Sequence, residues 1–229
     1  MSAARKAILK AVARALPPER PDAAAIEAEA RLLVADSQKL RPTLAAASIV
    51  ESFIQRAAGS KAGTTIGRIA AISELPQAAA RHLGSRKLPM RIALQPVPLL
   101  NSLDWAAAGI ACDGAADDGI VVGLPRWGIA ENGTLVFHSA ADTPILLNFL
   151  PAVHIVAVYA TSIVAHLEDY ASAARRAGDP APRNACLITG ASGTTDIEGN
   201  LVLGAHGPRE LHIIVIDDES ANSAQEKKA

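Results

Sequence analysis

Aromatic residues make up only 3% of the 229-residue chain, yet half of it is hydrophobic. Any core must therefore be built from Ala, Val, Ile and Leu, which favours close helix packing and buried aliphatic strands. Cysteine is nearly absent. Cys112 and Cys186 are far apart in sequence, which excludes a disulfide framework and any four-thiolate metal or cluster site within this chain. Charge of one sign is not in excess: 22 Lys and Arg face 23 Asp and Glu, for a net −1. The broad basic face of a nucleic-acid-binding protein is not expected. No apolar run reaches the roughly 18 residues that a membrane-spanning helix requires. The basic opening (Arg5, Lys6, Lys10, Arg14) has no apolar stretch with a cleavage site behind it, so no signal peptide is expected and cytoplasm is the expected location.

What is present divides into an N-terminal helical segment, 1–60, an α/β segment, 61–217, and a polar tail, 218–229. Ile8, Leu9, Val12 and Leu16 recur at helical spacing, with cations between them that read as a solvated face. Pro17 and Pro18 stop that helix. Asp22 caps a second helix running to about Leu40, and Pro42 opens a third that Gly59 ends. From about residue 64 the pattern alternates. Strands are predicted at Arg91–Leu94, Ile120–Gly123, Thr134–Phe137, Val153–Val158, Ala185–Thr189 and His212–Ile216. Helices are predicted at Glu74–Leu83 and Ser162–Arg176. Continuous apolar runs such as Ile155-Val156-Ala157-Val158 indicate strands buried on both faces, hence an open α/β sheet with flanking helices. Gly119–His138 reads as a hairpin-rich insertion.

Three segments gather residues capable of chemistry. The first is Gly128–Thr134. Its Asn132-Gly133 pair is a strong turn signal, and Glu131 beside it is either an exposed turn residue or a nucleophile or general base. The second, Thr189–Glu198, follows a strand. Gly190 and Gly193 permit unusual backbone angles, and Ser192, Thr194 and the loop amides could cradle a phosphate or carboxylate. Asp196 would otherwise cap the next turn. Asp196 and Glu198 make a weak divalent-cation pair. Neither a P-loop nor a dinucleotide fingerprint is present. The third is Gly204–Arg209, where His206 sits in a constrained loop and Arg209 could bind an anion. A loop at a strand end of an α/β sheet is where ligands tend to bind. His82, His138, His154, His166 and His212 form no ligand pattern and receive no role.

Ala130-Glu131-Asn132-Gly133-Thr134, Gly190–Glu198 and Gly204–Pro208, in this order, together with the Leu146–His154 stretch, resemble the LUD-domain family of the lactate-utilization protein C type. The likeness spans roughly residues 40–217 and is densest over 128–217. Asn132 stands where that family usually has Thr or Ser, Ala191 where it has Pro, and Gly193 where a basic residue is common. The resemblance implies a NagB/RpiA/CoA transferase-like fold. It also implies a role in oxidizing L-lactate to pyruvate beside iron–sulfur partner subunits, with no cofactor in this chain. The Glu-Asn-Gly run is similar to that of coenzyme A transferases, which opens an alternative: an acyl-transferase-like or ligase-like enzyme with Glu131 as nucleophile. A small carboxylate or phosphate-bearing ligand fits either reading, and the Ala-rich helices permit a homodimer.

Overall fold

The computed structural model describes residues 3–16, 22–35, 41–59, 63–177, 181–196 and 198–218. The polar tail and the predicted end of the second helix lie outside the described residues. The chain forms two compact units, 1–42 and 43–229. The first carries helices α1 (Ala3–Ala15) and α2 (Ala23–Ala35).

The second unit starts ahead of the boundary expected at residue 60. The reason is helix α3 (Ile49–Ala58), whose Phe53 and Ala57 are buried in the unit's core. α3 begins at Ile49, later than the expected start at Pro42. Ser48 caps it, its hydroxyl accepting from the Glu51 N–H at 3.0 Å. That contact satisfies one of the donors left open at a helix start.

The central sheet is parallel, with strand order β1 (Thr64–Ile69), β11 (Glu210–Ile216), β6 (Val153–Tyr159), β3 (Ile120–Gly123) and β2 (Ala93–Leu94). The expectation of strands buried on both faces holds. On β6, Val153, Ile155, Ala157 and Tyr159 enter one core with helix α4 (Leu75–Ser85), while Val156 and Val158 enter the other with Phe53 of α3. The period-2 alternation of side chains across a strand delivers one to each face. β1 was not expected.

The second core is closed by a four-stranded sheet of order β7 (Ile163–Val164), β4 (Trp127–Ile129), β5 (Thr134–His138) and β8 (Ala185–Ile188). The stretch expected as one hairpin-rich insertion is therefore divided: β3 belongs to the parallel sheet, and only β4–β5 is the hairpin. The helix predicted from Ser162 starts at Leu167 as α5 (Leu167–Arg176), because β7 comes first and pairs with β4. Strands β9 (Gly193–Thr195) and β10 (Leu201–Leu203) make a separate exposed ribbon.

Candidate functional site

Parallel pairing with β7 continues past the end of β4, through Ala130 N–H to Val164 O (2.9 Å) and Glu131 N–H to Ala165 O (3.0 Å). This carries Glu131 to the start of α5. There Glu131 Oε2 lies 2.9 Å from His166 Nδ1, and Oε1 accepts from the Leu167 N–H at 3.3 Å. The two side chains are only 14% and 11% exposed. A helix N-terminus favours a carboxylate. A carboxylate can only accept in this contact, so Nδ1 is the nitrogen that donates to it. Carboxylate and imidazole form the kind of pair that orients a general base. Glu131 itself, with both oxygens engaged, is less suited to nucleophilic attack.

His166 precedes α5, and its own N–H donates to Asp169 Oδ2 at 3.1 Å. Tyr170 lies one turn further on, and the Tyr170 hydroxyl meets His138 Nε2 at 2.7 Å. The Trp127 ring centroid lies 5.0 Å from that of His138 and 5.4 Å from that of Tyr170. The Arg126 guanidinium sits 4.9 Å above the Trp127 ring, a cation–π distance. His138 and His166, given no role from the sequence, are both hydrogen-bonded, to Tyr170 and Glu131. The pairing of residues 131 and 166 depends on the β4–β7 contact, which leaves no local sequence signal.

The turn after Glu131 is built as Asn-Gly predicts. Asn132 is exposed, its Oδ1 accepting from the Thr134 N–H at 3.2 Å, and Gly133 has φ +73°. Thr134 is buried, its hydroxyl 2.6 Å from that of Thr189. This contact joins the first segment to the second. An open cleft of about 410 Å³ adjoins it, lined by Ala45, Gln55, Arg56, Gly59 and Thr189. Thr134→Val is expected to cost about 1 kcal/mol, the worth of one partly buried hydrogen bond, read as a shift in the thermal melt.

The second and third segments are also joined. Ser192 N–H donates to Pro208 O (2.8 Å), Gly204 N–H to Ser192 O (2.9 Å) and His206 N–H to Ser192 Oγ (3.3 Å). Gly190 and Gly204 hold φ +84° and +80°, conformations that favour glycine. Gly193 and Thr194 lie exposed in β9. Asp196 caps the β9–β10 turn, its Oδ1 accepting from the Glu198 and Asn200 N–H groups at 3.0 and 2.7 Å. The Asn200 backbone donor is the first cause holding the Asp196 carboxyl below its usual range. Glu198, His206 and Arg209 are exposed. The Gly204–Arg209 loop precedes β11, so it lies at the amino end of that strand. The rule invoked for it places ligands at carboxyl ends, and that support is lost. Among the described residues, no hydrogen bond or ion pair links Glu131 to Asp196, His206 or Arg209, and no group of three or more His, Cys, Asp or Glu is placed to hold a metal ion.

The LUD-domain family model matches residues 116–216, the stretch that contains Glu131, His166 and both joined loops. The likeness to that family is carried by this stretch. The chain is 36% identical over 94 residues to lactate utilization protein C of Bacillus pumilus, covering 40% of this chain and 39% of that protein. It is 32% identical over 109 residues to lactate utilization protein C of Geobacillus thermodenitrificans, covering 46% and 45%. An uncharacterized protein of Neisseria meningitidis serogroup B is 35% identical over 89 residues, 39% of this chain and 38% of that protein. The chain thus spans about two fifths of the length of the curated relatives it matches. A solved DUF162 family protein from Deinococcus radiodurans is similar with a TM-score of 0.49 and 24% identity, over 73% of this chain and 96% of that one. Within the matched stretch, Glu131–His166 is the pair whose geometry suits proton transfer.

Proposed function

We propose that the protein serves the use of L-lactate, as the member of a lactate-oxidizing system that carries no iron–sulfur cluster and works with cluster-bearing subunits. The observation that carries this reading is the likeness to lactate utilization protein C of several bacteria. The chemistry of the chain is in keeping with it. Oxidation of lactate to pyruvate releases two electrons and two protons. Cys112 is exposed and Cys186 buried in β8, and two thiols fall short of the four thiolates a cluster takes. The electrons therefore go to the partners' clusters. In this reading His166 Nε2 accepts the hydroxyl proton of the 2-hydroxy acid, Glu131 holds the imidazole in the tautomer that can do so, and the Cα hydrogen leaves with its electron pair, as hydride, to a two-electron acceptor in the partner subunits that passes the electrons to their clusters.

The test is growth of a deletion strain on L-lactate as sole carbon source, complemented with wild type, His166→Asn and Glu131→Gln. Wild type should restore growth. His166→Asn should fail, and Glu131→Gln should grow much more slowly. Normal growth of the deletion strain, with no second copy of the gene, would overturn the link to lactate. Growth restored equally by all three would overturn the role of the dyad. The acyl-transfer alternative predicts a covalent adduct on Glu131 with acyl-coenzyme A. Since both carboxylate oxygens are engaged, the intact-protein mass is expected to stay unchanged across a panel of thioesters.

A further inference from the structure

A cleft with fixed walls lies beside Thr189. Its lining residues, Ala45, Gln55, Arg56, Gly59 and Thr189, all belong to the second unit, so its walls do not depend on where the first unit sits. Each wall is held from behind. Ser52 is fully buried, and its hydroxyl accepts from the Ala46 N–H at 2.9 Å and lies 3.0 and 2.9 Å from the carbonyl oxygens of Ala46 and Ser48. Those contacts fix the segment that carries Ala45. Gln55 and Arg56 ride on α3, which buried Phe53 anchors. Thr189 is held by the hydroxyl of buried Thr134 at 2.6 Å. A volume of about 410 Å³ lies in the range of small-molecule sites.

The polar groups of this cleft are unengaged. Among the described residues, the side chains of Arg56 and Gln55 make no hydrogen bond or ion pair. Glu51 is the only acid of α3, and it is committed to Arg68 at 2.8 Å, which also holds Asp217 at 2.9 Å. No Asp or Glu is among the described residues that line the cleft. One guanidinium therefore stands there without a counter-charge, beside a hydroxyl and a primary amide. We infer that the cleft binds a small monocarboxylate, gripped by Arg56 through paired N–H···O bonds. The planar fork of a guanidinium matches the two oxygens of a carboxylate. A single cation balances a single negative charge, whereas a phosphate group carrying nearly two would be left in excess. The Gln55 amide and the Thr189 hydroxyl can take a polar substituent on the acid, such as a hydroxyl. Ala45 and Gly59 keep the rest of the cleft open. The inference goes beyond the lactate reading, because it concerns a different site from Glu131–His166 and involves no proton transfer.

The test is a titration of the full chain by proton–nitrogen NMR, with L-lactate, neutral L-lactamide and inorganic phosphate as probes. The Arg56 Nε–H resonance, assigned by its loss in Arg56→Gln, should shift with L-lactate, with a Kd on the order of 1 mM. L-lactamide keeps the hydroxyl and lacks the charge, so it should bind at least about 10-fold more weakly, as expected when a charge-assisted hydrogen bond is lost. Arg56→Gln should weaken L-lactate binding by a similar factor, read from the Thr189 amide resonance. Ala45→Phe, which keeps Arg56 and fills the cleft, should also lose binding. Arg81→Gln, which removes a cation of α4, should bind as wild type does. Thermal melts of Arg56→Gln and Ala45→Phe should match wild type, because both side chains are exposed. Absence of any shift up to about 50 mM L-lactate, far above the expected Kd, would overturn the proposal. Equal binding of L-lactamide, or unchanged binding by Arg56→Gln and Ala45→Phe, would do the same. Tighter binding of phosphate than of L-lactate would assign the cleft to a phosphate ligand and overturn it too. Growth of the deletion strain on L-lactate is a separate readout, so the two readings can fail independently.

Discussion

Acidification from about pH 6.5 to pH 4 is expected to cost the protein about 6 kcal/mol through two histidines, His154 and His212. Both lie in central strands and are 1% and 8% exposed. His154 stands against the Phe137 ring at 5.8 Å, and its Nδ1 has no hydrogen-bond partner. Burial alone pushes its pKa down from 6.5 to about 3. His212 is driven down to about 4, first by burial and then by His82, whose ring stacks on it at 3.8 Å. A hydrogen bond to the Thr65 backbone opposes this shift, and the Thr65 hydroxyl also lies 2.8 Å from His212 Nδ1. Burial also lowers His82, whose Nε2 is unpartnered, while Glu210 raises it and Arg86 lowers it.

The sign follows from where each proton binds first. Above about pH 6.5 these histidines are neutral in both states and cost nothing. Below it the unfolded chain takes up protons that the folded one refuses, until the pH reaches the folded pKa. Each pH unit in that window costs about 1.4 kcal/mol per group, hence about 3 kcal/mol each by pH 4. A typical domain holds only about 5–15 kcal/mol in all. Urea unfolding at about pH 7 and pH 4.5 should show the loss. Carboxylates also protonate in that range, so the discriminating protein is His154→Leu. It should lose roughly half as much of the histidine-linked stability, and it also removes an unpartnered buried nitrogen. An unaltered pH dependence in that variant would mean that His154 is not held neutral.

These buried histidines mark where sequence reading ran out. The central strands were legible because β3, β6 and β11 are nearly continuous apolar runs, and only a strand buried on both faces can use them. β1 was not. It holds Ile66 and Ile69 among Thr64, Thr65, Gly67 and Arg68, and it acquires its strand character by pairing with β11 across the whole domain. The start of α3 was readable in Ser48-Ile49-Val50-Glu51, the spacing of a capping box, but Pro42 drew the expected boundary outward. In the site, Glu131 and the turn of Asn132, Gly133 and Thr134 followed from local residue types. The partnership with His166 did not, because the pairing of β4 with β7 brings these residues together and no spacing in the sequence encodes it. Asp196 shows the converse. Its surroundings read equally as a ligand cradle or as a turn, and the hydrogen bonds from Glu198 and Asn200 commit its carboxylate to the turn.

Gly133→Ala is expected to destabilise the protein by about 3–5 kcal/mol, lowering the melting temperature by roughly 10 °C. Two costs coincide. At φ +73° any L side chain is strained, worth about 1–2 kcal/mol. The new methyl would also stand 2.5 Å from Ala57 N and 2.8 Å from Ala57 Cα. Those are backbone atoms of α3 and cannot rotate aside. α3 is anchored by Phe53, which is fully buried, so relief must come from moving either the helix or the turn. The turn holds Glu131 two residues away, and moving it would stretch the 2.9 Å contact with His166. Gly109→Ala separates the two costs. Gly109 has φ +72° but nothing within 4 Å of the added methyl, so it bears the conformational cost alone, about 1–2 kcal/mol. A Gly133→Ala melt no lower than that of Gly109→Ala would show that the turn does not rest on α3. A large gap between the two would place the support of Glu131 in the seating of one glycine against the helix that closes the second core.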